Sequence, residues 1–464
     1  MGFFKKITKI SFIYLLGQMG SKFISIIMLP IYTNYISPTD YGTFDVVVAY
    51  MSILVPFFCL EVWSGMLRFA LTKDELDYKY KVLSNSLVIC CVGIAILSCG
   101  LLIVWLGFDL QNVGYIAAYM ISLILMYITT IACRAFNENR LYAFSGILSV
   151  FVNAIVSIVC IFGFHMGLET LFISAIAANF SQVILVELKL SVFRNFSLRY
   201  CDKTLIKKLF RFCFPLSINS VFAFLLSNVN RIIIVYKMAD GEAANGIYAV
   251  ATKLTVFVTM LVSIFFMAWQ EVNYQEENSQ VRARNCATAY KLFIKLVGIG
   301  TIILVIATKV FFPLLIGEDY QEAFFLIPFF YFATYLQSIS GFTATFFSIE
   351  NKTEQLIISK VFGGGVNVII VFLLINQYGL LASPIALIVS QIVVILIQFV
   401  QYRKFIRIPF EFKTIAVITF WFIVSSLFFF KGNVLGNLLF GVFFLLVAMV
   451  LCRDILKKIA SFRR

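Results

Sequence analysis

The sequence predicts an all-α integral membrane protein of about fourteen transmembrane helices, and three features carry that prediction. Hydrophobic residues make up 61% of the 464 and charged residues only 13%, against roughly 25% charge in ordinary soluble domains. The apolar residues run continuously instead of alternating, which excludes a closed β-barrel. Fourteen spans of about 22 residues use about 308 residues and leave about 11 for each connection or tail. No extramembrane catalytic domain fits in what remains.

Apolar runs separated by polar breaks fall at about 11–35, 43–67, 82–107, 113–133, 143–164, 170–188, 212–236, 247–269, 292–316, 323–348, 355–375, 380–402, 413–430 and 434–452. Lys5, Lys6 and Lys9 precede the first run, which is too long for a cleaved leader and lacks a small-residue cleavage site, so it reads as a signal-anchor. Pro30 and Pro56 fall within spans one and two and predict bent helices. Gly363, Gly364 and Gly365 in span eleven predict a close-packed surface or a flexible joint. The ten cysteines lie mostly inside apolar runs without metal-ligand spacing and read as buried thiols.

The net charge of +14 is mostly orientation. Basic residues gather before span one and in every even-numbered connection, the sixth above all, with Lys189, Arg194, Arg199, Lys203, Lys207, Lys208 and Arg211. The odd-numbered connections hold only Lys237 and Lys431, beside eight acidic residues. The positive-inside rule therefore places both termini in the cytoplasm. Loop cations of this kind set topology, so nucleic acid is not an expected partner.

The chain also repeats itself. Glu138-Asn139-Arg140 after span four returns as Glu350-Asn351-Lys352 after span ten, and Val152-Asn153 returns as Val366-Asn367. Met166-Gly167-Leu168 matches Tyr378-Gly379-Leu380, and Ser181-Gln182-Val183 matches Ser390-Gln391-Ile392. Tyr41-Gly42-Thr43-Phe44 opens span two as Asn245-Gly246-Ile247-Tyr248 opens span eight. Six spans per repeat give parallel repeats facing a cleft. The expected organisation is a six-helix lobe over 1–190, a basic linker over 191–211, a second six-helix lobe over 212–404, and two extra helices with a basic tail over 405–464.

Polar residues inside the spans mark the candidate site. Span one carries Tyr14, Gln18, Ser21, Lys22, Ser25 and Tyr32 on one face, with Lys22 near mid-bilayer. A cation there costs about 2.5–3.5 kcal/mol at least, so it must face a wet cavity or a carboxylate such as Glu61 or Asp45. Span seven carries Ser217, Ser220, Ser227, Asn228 and Arg231; Arg231 is a cavity cation or a snorkel to the outer interface. Lys253 lies about as deep in span eight. Glu61, Ser64, Gly65 and Arg68 share one face at the inner end of span two, where Arg68 is a ligand or an interfacial anchor. Asp45 lies near the outer end of that span. Lys309 reads as an outer-interface snorkel, and Lys291, Lys295 and Lys360 as anchors of helix ends. No phosphate-binding loop or H-E-x-x-H motif occurs, and the lone His165 makes a Ser-His-Asp triad improbable.

Several stretches resemble the Wzx-type flippases of lipid-linked oligosaccharides, in the polysaccharide-transporter branch of the MOP superfamily. They are Leu29-Pro30 through Ser37-Pro38-Thr39-Asp40-Tyr41-Gly42, Met66-Leu67-Arg68-Phe69, Phe214-Pro215-Leu216, Asn230-Arg231-Ile232-Ile233, Asn245 through Lys253, and Gln377-Tyr378-Gly379-Leu380. The resemblance spans about the first 400 residues. It implies a MATE/MurJ-like fold whose two lobes alternate in access around a cationic cavity. The substrate it implies is an undecaprenyl-pyrophosphate-linked oligosaccharide, for O-antigen or another surface polysaccharide, in the bacterial inner membrane. It further implies no enzyme activity and no cofactor, drive from an H+ or Na+ gradient or the membrane potential, and partnership with a polymerase and a chain-length regulator. Carry-over places substrate-binding cations at Lys22, Arg68, Arg231 and Lys253, with Gln18, Asp45, Glu61 and Asn228 as polar or coupling residues. Where many relatives carry an acidic residue, this chain has Asn230. The rival readings are a multidrug/cation antiporter of the same superfamily, a peptidoglycan-precursor flippase, and, further off, a membrane polymerase or glycosyltransferase.

Overall fold

The computed structural model describes residues 22, 24, 26–72, 75–108, 111–273, 279–349, 352, 354–406 and 408–451. The polar residues Tyr14, Gln18, Ser21 and Ser25, the N-terminal lysines and the basic tail lie outside the described residues. Among those described, twelve helical stretches are long and apolar enough to cross a membrane. One of them, Gln355–Tyr402, is 48 residues long and holds two helices joined by a short turn. The twelve stretches account for thirteen of the fourteen expected spans, and the remaining one, span one, is largely outside the described residues.

The helices follow from local chemistry. Helix α1 covers residues 26–35, and α2 spans Pro38–Phe58. Ser37 caps α2 by accepting from the Asp40 amide at 3.1 Å, with Pro38 in the first turn, where its missing N–H costs nothing. The chain then passes through left-handed Leu60 and Glu61 (φ 55° and 48°) into α3, Val62–Ala70. Pro56 precedes this break, and its carbonyl accepts from the Glu61 amide at 2.7 Å. The break lies beyond the proline, which itself stays inside α2; the missing N–H of Pro56 falls on the turn before it.

Next come α4 (Leu76–Phe108), α5 (Val113–Ala135), α6 (Asn139–Ile158), a five-residue π-turn over Val159–Gly163, and α7 (Leu168–Leu190). Helices α8 (Lys203–Ser227) and α9 (Val229–Lys237) form span seven, broken at Asn228. Helices α10 (Gly241–Lys253) and α11 (Val256–Asn273) form span eight, broken just after Lys253. The rest are α12 (Ser279–Leu315), α13 (Ala323–Ile349), α14 (Gln355–Tyr378), α15 (Ala382–Tyr402), α16 (Phe412–Lys431) and α17 (Val434–Leu451).

The chain packs as two compact units, Met1–Val235 and Tyr236–Arg464. The division falls beyond the basic linker at which the sequence separates the repeats, so span seven packs with the first unit. In that unit Val55, Cys59 and Val62 at the α2–α3 break meet Val82 and Cys90 of α4, Ile124 and Cys133 of α5, Val186 of α7, and Leu209 and Cys213 of α8. No disulfide joins the described cysteines, although Cys91, Cys99 and Cys201 are exposed rather than buried.

The linker is fastened to the first unit. Asn85 of α4 accepts from the Asp202 amide at 2.9 Å and donates to the Tyr200 carbonyl at 2.9 Å. Lys81 pairs with Asp202 at 2.8 Å, and the Tyr200 hydroxyl donates to Asp77 at 2.7 Å. Asp202 also caps α8 through the Thr204 amide. The Lys81 ammonium, then the Thr204 donors, hold its carboxyl far below the usual carboxylate range.

In the second unit, α12 carries the two helices that lie outside the repeat. The Lys309 ammonium donates to the carbonyls of Phe428 (3.1 Å), Phe429 (2.5 Å) and Gly432 at the end of α16. Lys295 donates to the Leu451 carbonyl of α17 at 2.9 Å, and Asn437 of α17 donates to the Ile306 carbonyl of α12 at 2.8 Å. A cation at a helix C-terminus answers its negative dipole end and unpaired carbonyls. Lys309 is therefore a cap for a neighbouring helix, a role that its reading as an interfacial snorkel left out. The outer face of α17 exposes Leu435, Leu439, Val442, Leu446 and Val450, while Asn437, Phe440, Phe444 and Ala448 are buried. Spaced by three and four residues, that exposed stripe suits lipid.

The repeat is visible in contacts as well as in letters. Ser181 and Ser390 each bond the carbonyl three residues back. Gln182 of α7 donates to Thr130 of α5 at 3.0 Å, and Gln391 of α15 accepts from Ser340 of α13 at 3.0 Å. Phe44 packs on Tyr119 with ring centroids 5.8 Å apart, and Tyr248 on Phe330 at 5.2 Å. The matched turns before α7 and α15 differ: left-handed backbone falls on His165 (φ 52°) in one and on Gly379 (φ 54°) in the other. Of the glycine triplet, Gly363 and Gly364 are buried, whereas Gly365 faces open space.

Candidate functional site

Three spans are broken, and the charged candidates cluster at the breaks. Broken spans expose backbone and bring polar side chains to depths that a continuous apolar helix avoids. Glu61 sits in the break of span two. Asn228 is the break residue of span seven, and Arg231 lies in the first turn of α9. Lys253 ends α10 at the break of span eight.

Two polar stations tie α2–α3 to α8–α9 within the first unit. At the Pro38 end, the Arg231 guanidinium donates to Asp45 at 2.6 Å through Nε and to Asn228 at 2.8 Å through Nη1. The two charged side chains are 17% and 11% exposed, so little water screens the pair. Asp45 therefore supplies the countercharge that Asn230 cannot, and Asn230 is fully buried.

At the α2–α3 break, the Glu61 carboxylate accepts from Ser64 at 3.1 Å and from Ser220 of α8 at 2.5 Å. Glu61 occupies the N-cap position of α3 but makes no side-chain cap. Its left-handed backbone instead turns the carboxylate toward α8, a strained arrangement of the kind found where function over-determines geometry. Among the described residues, no ion pair neutralises Glu61. Trp63 stacks on Tyr127 of α5 at 4.8 Å and fixes the start of α3.

The four candidate cations have different fates. Arg231 is committed to Asp45 and Asn228. Arg68 lies over the Phe212 ring at 4.4 Å, is exposed, and makes no hydrogen bond or ion pair among the described residues. A cation over a ring face is attracted by the ring quadrupole and keeps its N–H donors for other partners. Lys253 is exposed and likewise makes no hydrogen bond or ion pair among the described residues. Lys22 is half-buried in the first helix, and Gln18 lies outside the described residues.

Sequence reading placed Tyr32 on the polar face of span one but not its partners: its hydroxyl bonds Asn153 at 3.1 Å and Ser157 at 2.8 Å, a brace between spans one and five. It also missed Ser220 as the partner of Glu61, because no periodicity links residues 159 apart. Among the described residues, no group of three His, Cys, Asp or Glu side chains converges to hold a metal ion.

Comparison with known proteins places this geometry. The chain shares its fold with a lipid II flippase, MurJ, in an inward closed conformation: TM-score 0.67 at 13% identity, over 96% of this chain and 99% of that one. An inward-facing multidrug resistance MATE family transporter of the MOP superfamily aligns with TM-score 0.64 at 14% identity, over 85% and 98%. A MATE protein in complex with MaL6 aligns with TM-score 0.54 at 16% identity, over 90% and 97%. No curated protein sequence matches the chain. The family described as polysaccharide biosynthesis protein matches residues 7–270, more than half of the sequence. Together with the broken, many-spanned helical fold, that match makes the chain a member of the polysaccharide biosynthesis protein family.

Proposed function

We propose that the protein is a flippase that moves undecaprenyl-pyrophosphate-linked oligosaccharide across the bacterial cytoplasmic membrane, for O-antigen or another surface polysaccharide. The observation that carries this reading is the state of Arg68 and Lys253: exposed cations in broken spans that make no hydrogen bond or ion pair among the described residues. A diphosphate headgroup is the anion such donors suit, since its oxygens accept several charge-assisted bonds while its polyprenyl tail stays in lipid. Family membership and a fold shared with a lipid II flippase support the same reading. With both termini cytoplasmic, the membrane potential favours outward passage of an anionic headgroup by about 2.3 kcal/mol per charge per 100 mV.

Depletion of the protein should trap lipid-linked oligosaccharide on the inner leaflet, read by its resistance to an external glycosidase. Normal export during depletion would remove the reading. One observation favours a second reading, a cation antiporter: Glu61 is a carboxylate without an ionic partner among the described residues. In that case depletion raises drug sensitivity and leaves glycan export untouched. Orientation has its own test. In a Cys452→Ser background, a membrane-impermeant maleimide should label exposed Cys201 in inside-out vesicles and not in right-side-out ones.

A further inference from the structure

The stretch from Glu61 to Arg68 carries two kinds of chemistry a fixed distance apart. At its start, a carboxylate is solvated by two hydroxyls, Ser64 at 3.1 Å and Ser220 at 2.5 Å. Seven residues on, about 10 Å along a helix, Arg68 presents a guanidinium whose plane is set by Phe212. Ser64 and Arg68 are four residues apart, so they share a face. Trp63 against Tyr127 and the close approach of Gly65 to Cys213 of α8 keep this short helix from turning.

The partners of Glu61 identify what it recognises. A hard metal ion needs about six oxygen ligands, whereas Glu61 gathers two hydroxyls and no second carboxylate. Among the described residues no ammonium or guanidinium of the chain pairs with Glu61, so its charge is left to hydroxyls. The carboxylate is already bound to aliphatic hydroxyls, and a sugar hydroxyl can exchange for a serine hydroxyl in the same geometry, O–H to O⁻, without a change in bond type.

Resting on the flippase reading, we propose that Glu61, Ser64 and Ser220 form a glycan-hydroxyl subsite and that Arg68 holds the phosphate of the same headgroup. One face of α3 then grips a glycosyl phosphate by both parts. Glu61 is thereby a specificity-determining residue rather than an ion-coupling one. A sugar hydroxyl that replaces one of the serines meets a charged acceptor, and such a charge-assisted bond is stronger than a neutral one.

The test is equilibrium binding by the full-length protein in nanodiscs, with two probes: undecaprenyl diphosphate, and the same lipid carrying one N-acetylhexosamine. The wild type is expected to bind the glycosylated probe about tenfold more tightly or better, well within what hydroxyl recognition supplies. Glu61→Gln should bind both probes alike, and Ser220→Ala should lose part of the preference, at unchanged melting temperature. Arg68→Gln should weaken both probes about tenfold and keep their ratio, with Arg68→Lys restoring part. The inference is overturned if Glu61→Gln keeps the preference, or if it alters only the pH profile of transport. A wild type that binds both probes equally also sinks it while leaving the flippase reading intact. A wild type that binds neither removes that reading as well.

Discussion

In the first unit, Glu61 and Arg231 lie at breaks in their spans, and the charged residues of the site face other side chains: Arg231 meets Asp45, Glu61 meets two serines, and Arg68 meets a ring. In the second unit, Lys309 and Lys295 lie within an unbroken 37-residue helix and meet backbone carbonyls of α16 and α17. Cations set in similarly apolar sequence thus meet side chains in one place and cap helix ends in the other. An intramembrane cation is therefore informative only once its partner is known. A cation committed to carbonyls or a carboxylate is structural in that state, and one with uncommitted donors is a candidate ligand.

The sharpest way to break this contrast is at Arg231 and Asp45. Removing either partner leaves a mostly buried charge uncompensated, so Arg231→Ala or Asp45→Ala should lose about 2–4 kcal/mol of unfolding free energy in detergent. The double mutant should recover part of that, a coupling of about 1–3 kcal/mol in a double-mutant cycle. Arg68→Ala, by contrast, should stay within about 0.5 kcal/mol, as for an exposed side chain without hydrogen bonds. If Arg68 proved as costly as Arg231, the division into committed and uncommitted cations would fail.

Next in size is the seam between α12 and α16. A Cβ at Gly298 would lie 2.5 Å from Ile418 and 3.2 Å from Tyr335. Gly298→Leu should therefore cost about 1–3 kcal/mol by overpacking, measured as a lowered melting temperature. Gly365→Ala, with nothing within 4 Å, should change stability by about 0.5 kcal/mol or less. At the same seam, Lys309→Met removes the cap on α16 and should cost about 1–2 kcal/mol. Faster amide exchange is expected at Lys431 and Gly432, and an unchanged exchange rate there would contradict the capping role.

The smallest effect is expected at the linker. Because the Asp202 carboxyl is held below its ordinary range, its tie to Lys81 is complete above that range and weakens only as pH falls through the depressed value. The stability difference between wild type and Asp202→Asn should thus be flat from pH 8 to 5 and shrink under strong acid. It should also shrink with added salt, since the pair is exposed.

Much of the fold was legible because the bilayer enforces long apolar runs, and the repeat was legible because Gln182 and Gln391, or Phe44 and Tyr248, keep the same neighbours in both halves. The proline at 56 signalled a break, yet not that Leu60 and Glu61 would take left-handed backbone. Asp45 and Arg231 were both candidates, but their union was hidden, since 186 residues separate them. The capping role of Lys309 was hidden for the same reason: its partners belong to another helix.

Composition and the long apolar runs alone predicted that this chain is helical and membrane-spanning, because those properties are sums over many residues that hydrocarbon constrains one by one. Which cations are neutralised, which carboxylate is left to hydroxyls, and which lysines cap helices depended on side chains brought within about 3 Å of each other by packing. Hydrogen bonds and ion pairs act only at that range, and no one-dimensional pattern encodes it.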